Sequence, residues 1–286
     1  MSHVSIRSAI TALSILFAGS LIFPGLTRAQ AQPTPPPSGV STDSMQTELH
    51  MLTDVQTQKG SPVDSKEEAA YRAFFKVNAE DPDKKIKLGQ DFLAKYPKSP
   101  YAEPVDVGLT QVFFAKQDWK NFYAFSDAAL ALKPNDVDVL TQVGWVIPHV
   151  YNPDDADADK QLDKAEAYEK LAIQDIGTMP KPAGVSDSQF AKSKAQRLLQ
   201  AHSALGLVYF RREDYADSAK ELQLTVTGNA DPDQDDLYVL GIDLQNLNRN
   251  AEAADVFARC GQMLGPVRDR CTQNADAAKK QVTQSK

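Results

Sequence analysis

The sequence predicts an all-α chain built as a stack of antiparallel helix pairs, and four observations predict it. From Ser65 onward apolar residues recur at helical spacing, in segments of twelve to sixteen residues. Short clusters of Pro, Asn, Asp and Gly separate these segments, which makes neighbouring helices antiparallel. No stretch alternates with period two for long enough to form a sheet. A large apolar residue followed by a smaller one also recurs: Leu109-Thr110 and Val143-Gly144 stand 34 residues apart, Leu205-Gly206 and Leu240-Gly241 stand 35 apart.

The chain opens differently. His3 and Arg7 precede an apolar run from Ala9 to Phe23, and Pro24-Gly25 then breaks any helix. Ala29-Gln30-Ala31 supplies the small-x-small pattern of a cleavage site, so residues 1–31 read as a secretory signal peptide. The 15-residue run is short for a membrane anchor, since spanning a bilayer takes roughly 20 residues. With no Cys in this segment, no lipid anchor is expected after cleavage. Residues 32–64, beginning Gln32-Pro33-Thr34-Pro35-Pro36-Pro37, read as a Pro-rich and mostly disordered tether.

The repeat region spans 65–282. In each unit a large residue follows the small member of the phrase by three, as Phe113, Ile147, Tyr209 and Leu244. Further on, Ser218 and Ala253 provide a small residue where two helices cross, then Leu222 and Phe257 a large one. This pattern resembles the tetratricopeptide repeat (TPR). Leu205-Gly206-x-x-Tyr209 with Asp214-Tyr215 carries the resemblance well, as does Leu237-x-x-Leu240-Gly241-x-x-Leu244 with Ala253, Phe257 and Cys260. The unit from Leu109 through Trp119 to Leu132-Lys133-Pro134 puts Phe122 at a small position, and the first, from Ala70 to Tyr96-Pro97, is weaker. The resemblance implies a right-handed superhelical solenoid of about five repeats plus a capping helix, the polar segment Pro266 to Gln281. Two places depart from the repeat, at about 148–160 and 177–190. Ile147 and Ala165 stand 18 apart where about nine are expected, and Ser186 caps a longer helix expected to run from Asp187 to Arg211.

Cys260 and Cys271 lie close together near the end of the chain. In an exported protein they could close a disulfide that pins the cap to the last repeat; the alternative is two buried free thiols.

Little points to catalysis. There is no H-E-x-x-H, no G-x-S-x-G and no Gly-rich phosphate loop, and His50, His149 and His202 lack ligand partners at metal spacing. No enzyme activity, cofactor or metal is therefore expected. Asp155-x-Asp157-x-Asp159 with Glu166 has calcium-loop spacing, but Lys160 stands where the turn wants Gly. A solvated acidic loop capping a helix is the competing interpretation. Losing residues 1–31 takes the formal charge from −7 to −9, which with no basic patch argues against nucleic acid. A mean hydropathy of −0.40 argues against several membrane spans.

The resemblance also implies a partner-binding concave groove lined by first-helix residues. Carried over by position, these include Phe114, Trp145, His149, Phe210, Arg211, Tyr238, Gln245 and Asn246, with Gln111, Ser203, Leu207 and Ile242 beside them. Aromatics with Arg are what binding hot spots favour. The expected function is a non-catalytic, exported scaffold, periplasmic or secreted, that holds a protein or peptide. The alternative is a structural or self-associating subunit of an envelope assembly, acting through its convex face or repeat ends.

Overall fold

In the computed structural model, residues 64–78 and 80–284 are described; the expected signal segment and the tether up to residue 63 lie outside them. The described residues form helices and no strand: α1 Ser65–Phe75, α2 Pro82–Lys95, α3 Ala102–Ala115, α4 Trp119–Leu132, α5 Val137–His149, α6 Ala158–Thr178, α7 Asp187–Arg211, α8 Tyr215–Gly228, α9 Gln234–Asn246, α10 Asn250–Gln262 and α11 Arg268–Gln284. Consecutive helices pack as pairs, α1 with α2 through α9 with α10, and α11 closes on α10. The architecture is an all-α, TPR-like solenoid.

Local chemistry sets the boundaries. Asp64, Asp81, Asp118, Asp136, Asp214 and Asp233 each stand just before a helix and accept a backbone N–H from its first turn. An acid there satisfies an otherwise orphaned donor and complements the helix dipole. Ser186 does this for α7, with Gln189 returning the bond to complete a capping box. The span of α7 is the one its sequence predicts.

Three of the pairs share one turn. Gln117, Glu213 and Asn248 all adopt positive φ, of 54°, 60° and 59°. In each turn the next residue donates its N–H five residues back: Asp118 to Phe113, Asp214 to Tyr209, Arg249 to Leu244. A single left-handed residue thus reverses the chain from first to second helix. The pair α5/α6 lacks this turn. Its connection runs from Val150 to Asp157, and α6 extends over 21 residues.

Packing follows the small-to-large pattern. A Cβ on Gly206 would collide with Leu222, and one on Gly241 with Phe257, so only glycine lets these helices approach so closely. The buried apolar side chains form two clusters that meet on α7. Val208 belongs to the first, rich in aromatics such as Tyr71, Phe74, Phe92 and Phe122. Leu207 belongs to the second, with Leu222, Leu237, Phe257 and small residues of α10 and α11. Cys260 and Cys271 are joined in a disulfide, their Cα atoms 5.7 Å apart, tying α11 to α10.

Candidate functional site

The end of α5 is where the candidate binding residues gather. Pro148 lies inside this helix and has no N–H, so the Gly144 carbonyl loses its usual donor and α5 ends one residue later. His149 then folds back onto its own helix. Its imidazole stacks on the Trp145 indole at 3.8 Å, and its Nδ1 lies 2.6 Å from the Trp145 carbonyl. A carbonyl only accepts, so Nδ1 carries the proton in this bond. Burial pulls the His149 pKa down to about 4, with the nearby Arg211 acting in the same direction against the backbone bond. The ring is neutral at neutral pH, leaving Nε2 as an acceptor.

Two further helices complete the cluster. Phe114 of α3 lies 6.2 Å from Trp145 and packs also on Trp119 and Phe122. Arg211, the last residue of α7, donates from Nε to the Pro148 carbonyl at 3.0 Å and sits over the Tyr151 ring at 5.8 Å. Burial lowers its pKa, the Tyr151 interaction opposing this. Among the described residues no carboxylate pairs with Arg211.

The remaining candidates lie elsewhere. Phe210 is half-buried, edge-on to Tyr215 at 6.3 Å. Tyr238 is half-buried, 6.1 Å from Phe257. Gln245 is half-buried, and Asn246 is exposed, with its amide donating to Ile242 of its own helix. Among the described residues, no ring contact joins Phe210 or Tyr238 to the Trp145 cluster. The structure thus brings together Phe114, Trp145, His149 and Arg211 and leaves the other four apart. The expectation that Trp145 lies open on a groove is corrected, because its residue is only 9% exposed. Its indole is covered by His149 and Phe114, and it supports the surface they form.

The acidic loop does not assemble a cation cage. Glu166 lies within α6, with its carboxylate held by Lys170, Tyr209 and Arg212. Desolvation raises its pKa, but these bonds outweigh it and bring it down to about 2. Asp155 accepts from Asn152, and Asp157 from Gln161. Among the described residues no group of three or more His, Cys, Asp or Glu is arranged for a metal ion. Nor, among them, is any helix long and apolar enough to cross a membrane.

Buried acids are what sequence reasoning missed. Glu169 is 0% exposed, and neither carboxylate oxygen has a hydrogen-bond partner. It seats on Gly144, where a Cβ would collide with it. Asp106, Asp236 and Asp243 are buried too. A signal for Glu169 existed in the repeat register. Leu222 and Phe257 each stand 16 residues after their glycine, and Glu169 stands 25 after Gly144, the excess equalling the nine-residue lengthening of that unit.

No family model matches the chain, and no curated protein matches it in sequence. Solved structures do. The structure of PilW, described as a widely conserved type IV pilus biogenesis factor, aligns with a TM-score of 0.50 at 13% identity, covering 78% of this chain and 93% of that one. A thermophilic TPR protein of Thermus thermophilus aligns at 0.42 and 15% identity, over 74% of this chain and 98% of that one. A tetratricopeptide repeat protein of Parabacteroides merdae aligns at 0.29 and 10%, over 76% and 100%. At these identities the likeness to PilW is one of fold.

Proposed function

We propose that this chain, TPR-like in fold, is a non-catalytic scaffold that holds a protein or peptide partner against the face made by its first helices. The observation that carries this reading is the cluster at the ends of α3, α5 and α7. Phe114, His149 and Arg211 are held there by packing and backbone bonds, and among the described residues Arg211 has no carboxylate partner of its own. Rigid aromatics beside a cation with spare donors give a partner contact area and direction at little cost in side-chain entropy. Phe210, Tyr238, Gln245 and Asn246 would extend the face along α7 and α9.

Export to an oxidising compartment would fit the same reading. The opening of the sequence has the pattern of a cleaved signal, and the Cys260–Cys271 bond suits the periplasm or the outside of the cell. The fold shared with PilW, described as a pilus biogenesis factor, is in keeping with assembly work in the envelope.

Affinity capture from envelope extract tests the proposal, with wild type as one bait and Arg211→Glu as another, helicity matched by circular dichroism. A partner retained by wild type and lost by Arg211→Glu supports the first-helix face. A partner retained equally by both, and by Phe210→Glu plus Tyr238→Glu, moves the function to the convex face or the repeat ends. Concentration-dependent self-association in sedimentation would then favour the oligomerising role.

A further inference from the structure

The Ser218 hydroxyl at the junction of α7, α8 and α9 has more acceptors around it than it has protons. Its Oγ lies 2.9 Å from the Gly206 carbonyl and 2.6 Å from Asp243 Oδ2. All three residues are buried, Ser218 and Asp243 at 0% exposure. A serine hydroxyl has one hydrogen to donate. The carbonyl can only accept, and so can an ionised carboxylate. A proton on Asp243 lets both short contacts be full hydrogen bonds, where the Ser218 proton alone would have to be shared between two acceptors. Oδ2–H then donates to Ser218 Oγ, whose own proton goes to Gly206.

The surroundings agree. Among the described residues no basic side chain reaches the Asp243 carboxyl, and its Oδ1 has no hydrogen-bond partner, a heavy cost for an anion and a smaller one for a neutral acid. On α8, Tyr215 is the titratable group that interacts with Asp243, and it offers no positive charge. Several charged groups on the surrounding helices are engaged elsewhere. His202 of α7 pairs with Glu221 of α8, and Arg211 binds the Pro148 carbonyl. On α10, Arg249 pairs with Glu252 and Arg259 reaches the Val226 carbonyl. Arg270 of α11 lies near Asp235, and Asp236, on α9 itself, accepts from Ser203. Burial pushes the Asp236 carboxyl up as well, to about 6, against the bonds from Ser203 and Thr225, so it titrates on α9 beside Asp243.

We propose that Asp243 is held as the neutral acid and that its proton is a latch joining α9 to α7 and α8 through Ser218. Burial pushes this carboxyl up to about 7, against the pull of the Ser218 hydroxyl. With the folded value raised above the unfolded one, the latch contributes fully below the ordinary carboxylate range. Its contribution is lost as pH rises through about 7. Above that point α8 and α9 open more readily while the rest of the stack keeps its contacts. The inference stands apart from the proposed partner-binding face.

Carbon-detected NMR titration of the Asp243 carboxyl in the full chain tests it, the resonance assigned by its absence in Asp243→Asn. Titration near neutrality is expected; titration in the ordinary carboxylate range, about 4, overturns the latch. Hydrogen exchange supplies the second arm. Amides of α8 and α9 in wild type are expected to lose about tenfold protection between pH 5.5 and 8.5, after correction for intrinsic exchange. Asp243→Asn, whose amide can donate to Ser218 at any pH, should lose much less. Equal losses in the two proteins, or none in wild type, refute the proposal. Should the variant fold poorly, the carboxyl titration in wild type and in Ser218→Ala still decides, because removing the partner must shift the Asp243 midpoint.

Discussion

The pairs α5/α6 and α9/α10 solve one packing problem with opposite chemistry. In each, a glycine on the first helix receives a large side chain from the second. At Gly241 that side chain is Phe257; at Gly144 it is Glu169. Both are fully buried. The phenyl ring gains by leaving water, whereas the carboxyl gives up its hydration and finds no hydrogen-bond partner. A joint in this stack is therefore specified by size and position, and its chemistry can be spent on something other than stability.

Breaking the apolar joint should have the largest effect. Phe257→Ala leaves a cavity opposite Gly241 and removes the support under Tyr238. A loss of about 3–5 kcal/mol is expected in urea unfolding, and a loss below about 1 kcal/mol would mean the joint collapses around the gap.

The acid joint should respond in the other direction. Burial holds the Glu169 pKa well above the ordinary carboxylate value. Below the unfolded value both states are protonated and the penalty is absent. It grows as pH rises, because the unfolded chain ionises freely and the folded one does not. Glu169→Leu, a residue that already fills this position over Gly206, should therefore stabilise the protein by at least about 1 kcal/mol at pH 8 and by less at pH 5. Equal gains at the two values would show that shape, and not charge, limits the joint.

Legibility divided along the same line. The helices, the repeated glycines and the Ser186 cap could be read because periodicity and capping are local properties of sequence. Glu169 could not be read so easily, since an acid flanked by Tyr168 and Lys170 on a long helix looks like a solvated face. The lengthened α5–α6 connection had also shifted it out of register with Leu222 and Phe257. Trp145 is a different case. Its exposure is set by Pro148, which ends α5 early, and by His149, turned back over the indole, a tertiary consequence that spacing does not carry.

The smallest effect belongs to the turns that the regular pairs share and α5/α6 lacks. Glu213 adopts a φ of 60°, where a side chain is strained and glycine is not. Glu213→Gly is expected to raise the melting temperature slightly, worth less than about 1 kcal/mol because the unfolded chain also gains freedom. A fall instead would mean that the turn holds Glu213 by contacts which outweigh its strain.

The cross-link between Cys260 and Cys271 gives the stack a direction in which to come apart. Neighbouring helices in such an array detach most readily from its ends, where each has only one side to hold on to. At one end α11 is stapled covalently to α10 and cannot peel away without taking its neighbour along. At the other end of the described residues, α1 holds by the packing of Tyr71 and Phe74, with Ala70 and Phe75 beside them. Under heat, or under a pulling force along the chain, the described helices are expected to unzip from α1 toward a tail that stays knotted shut.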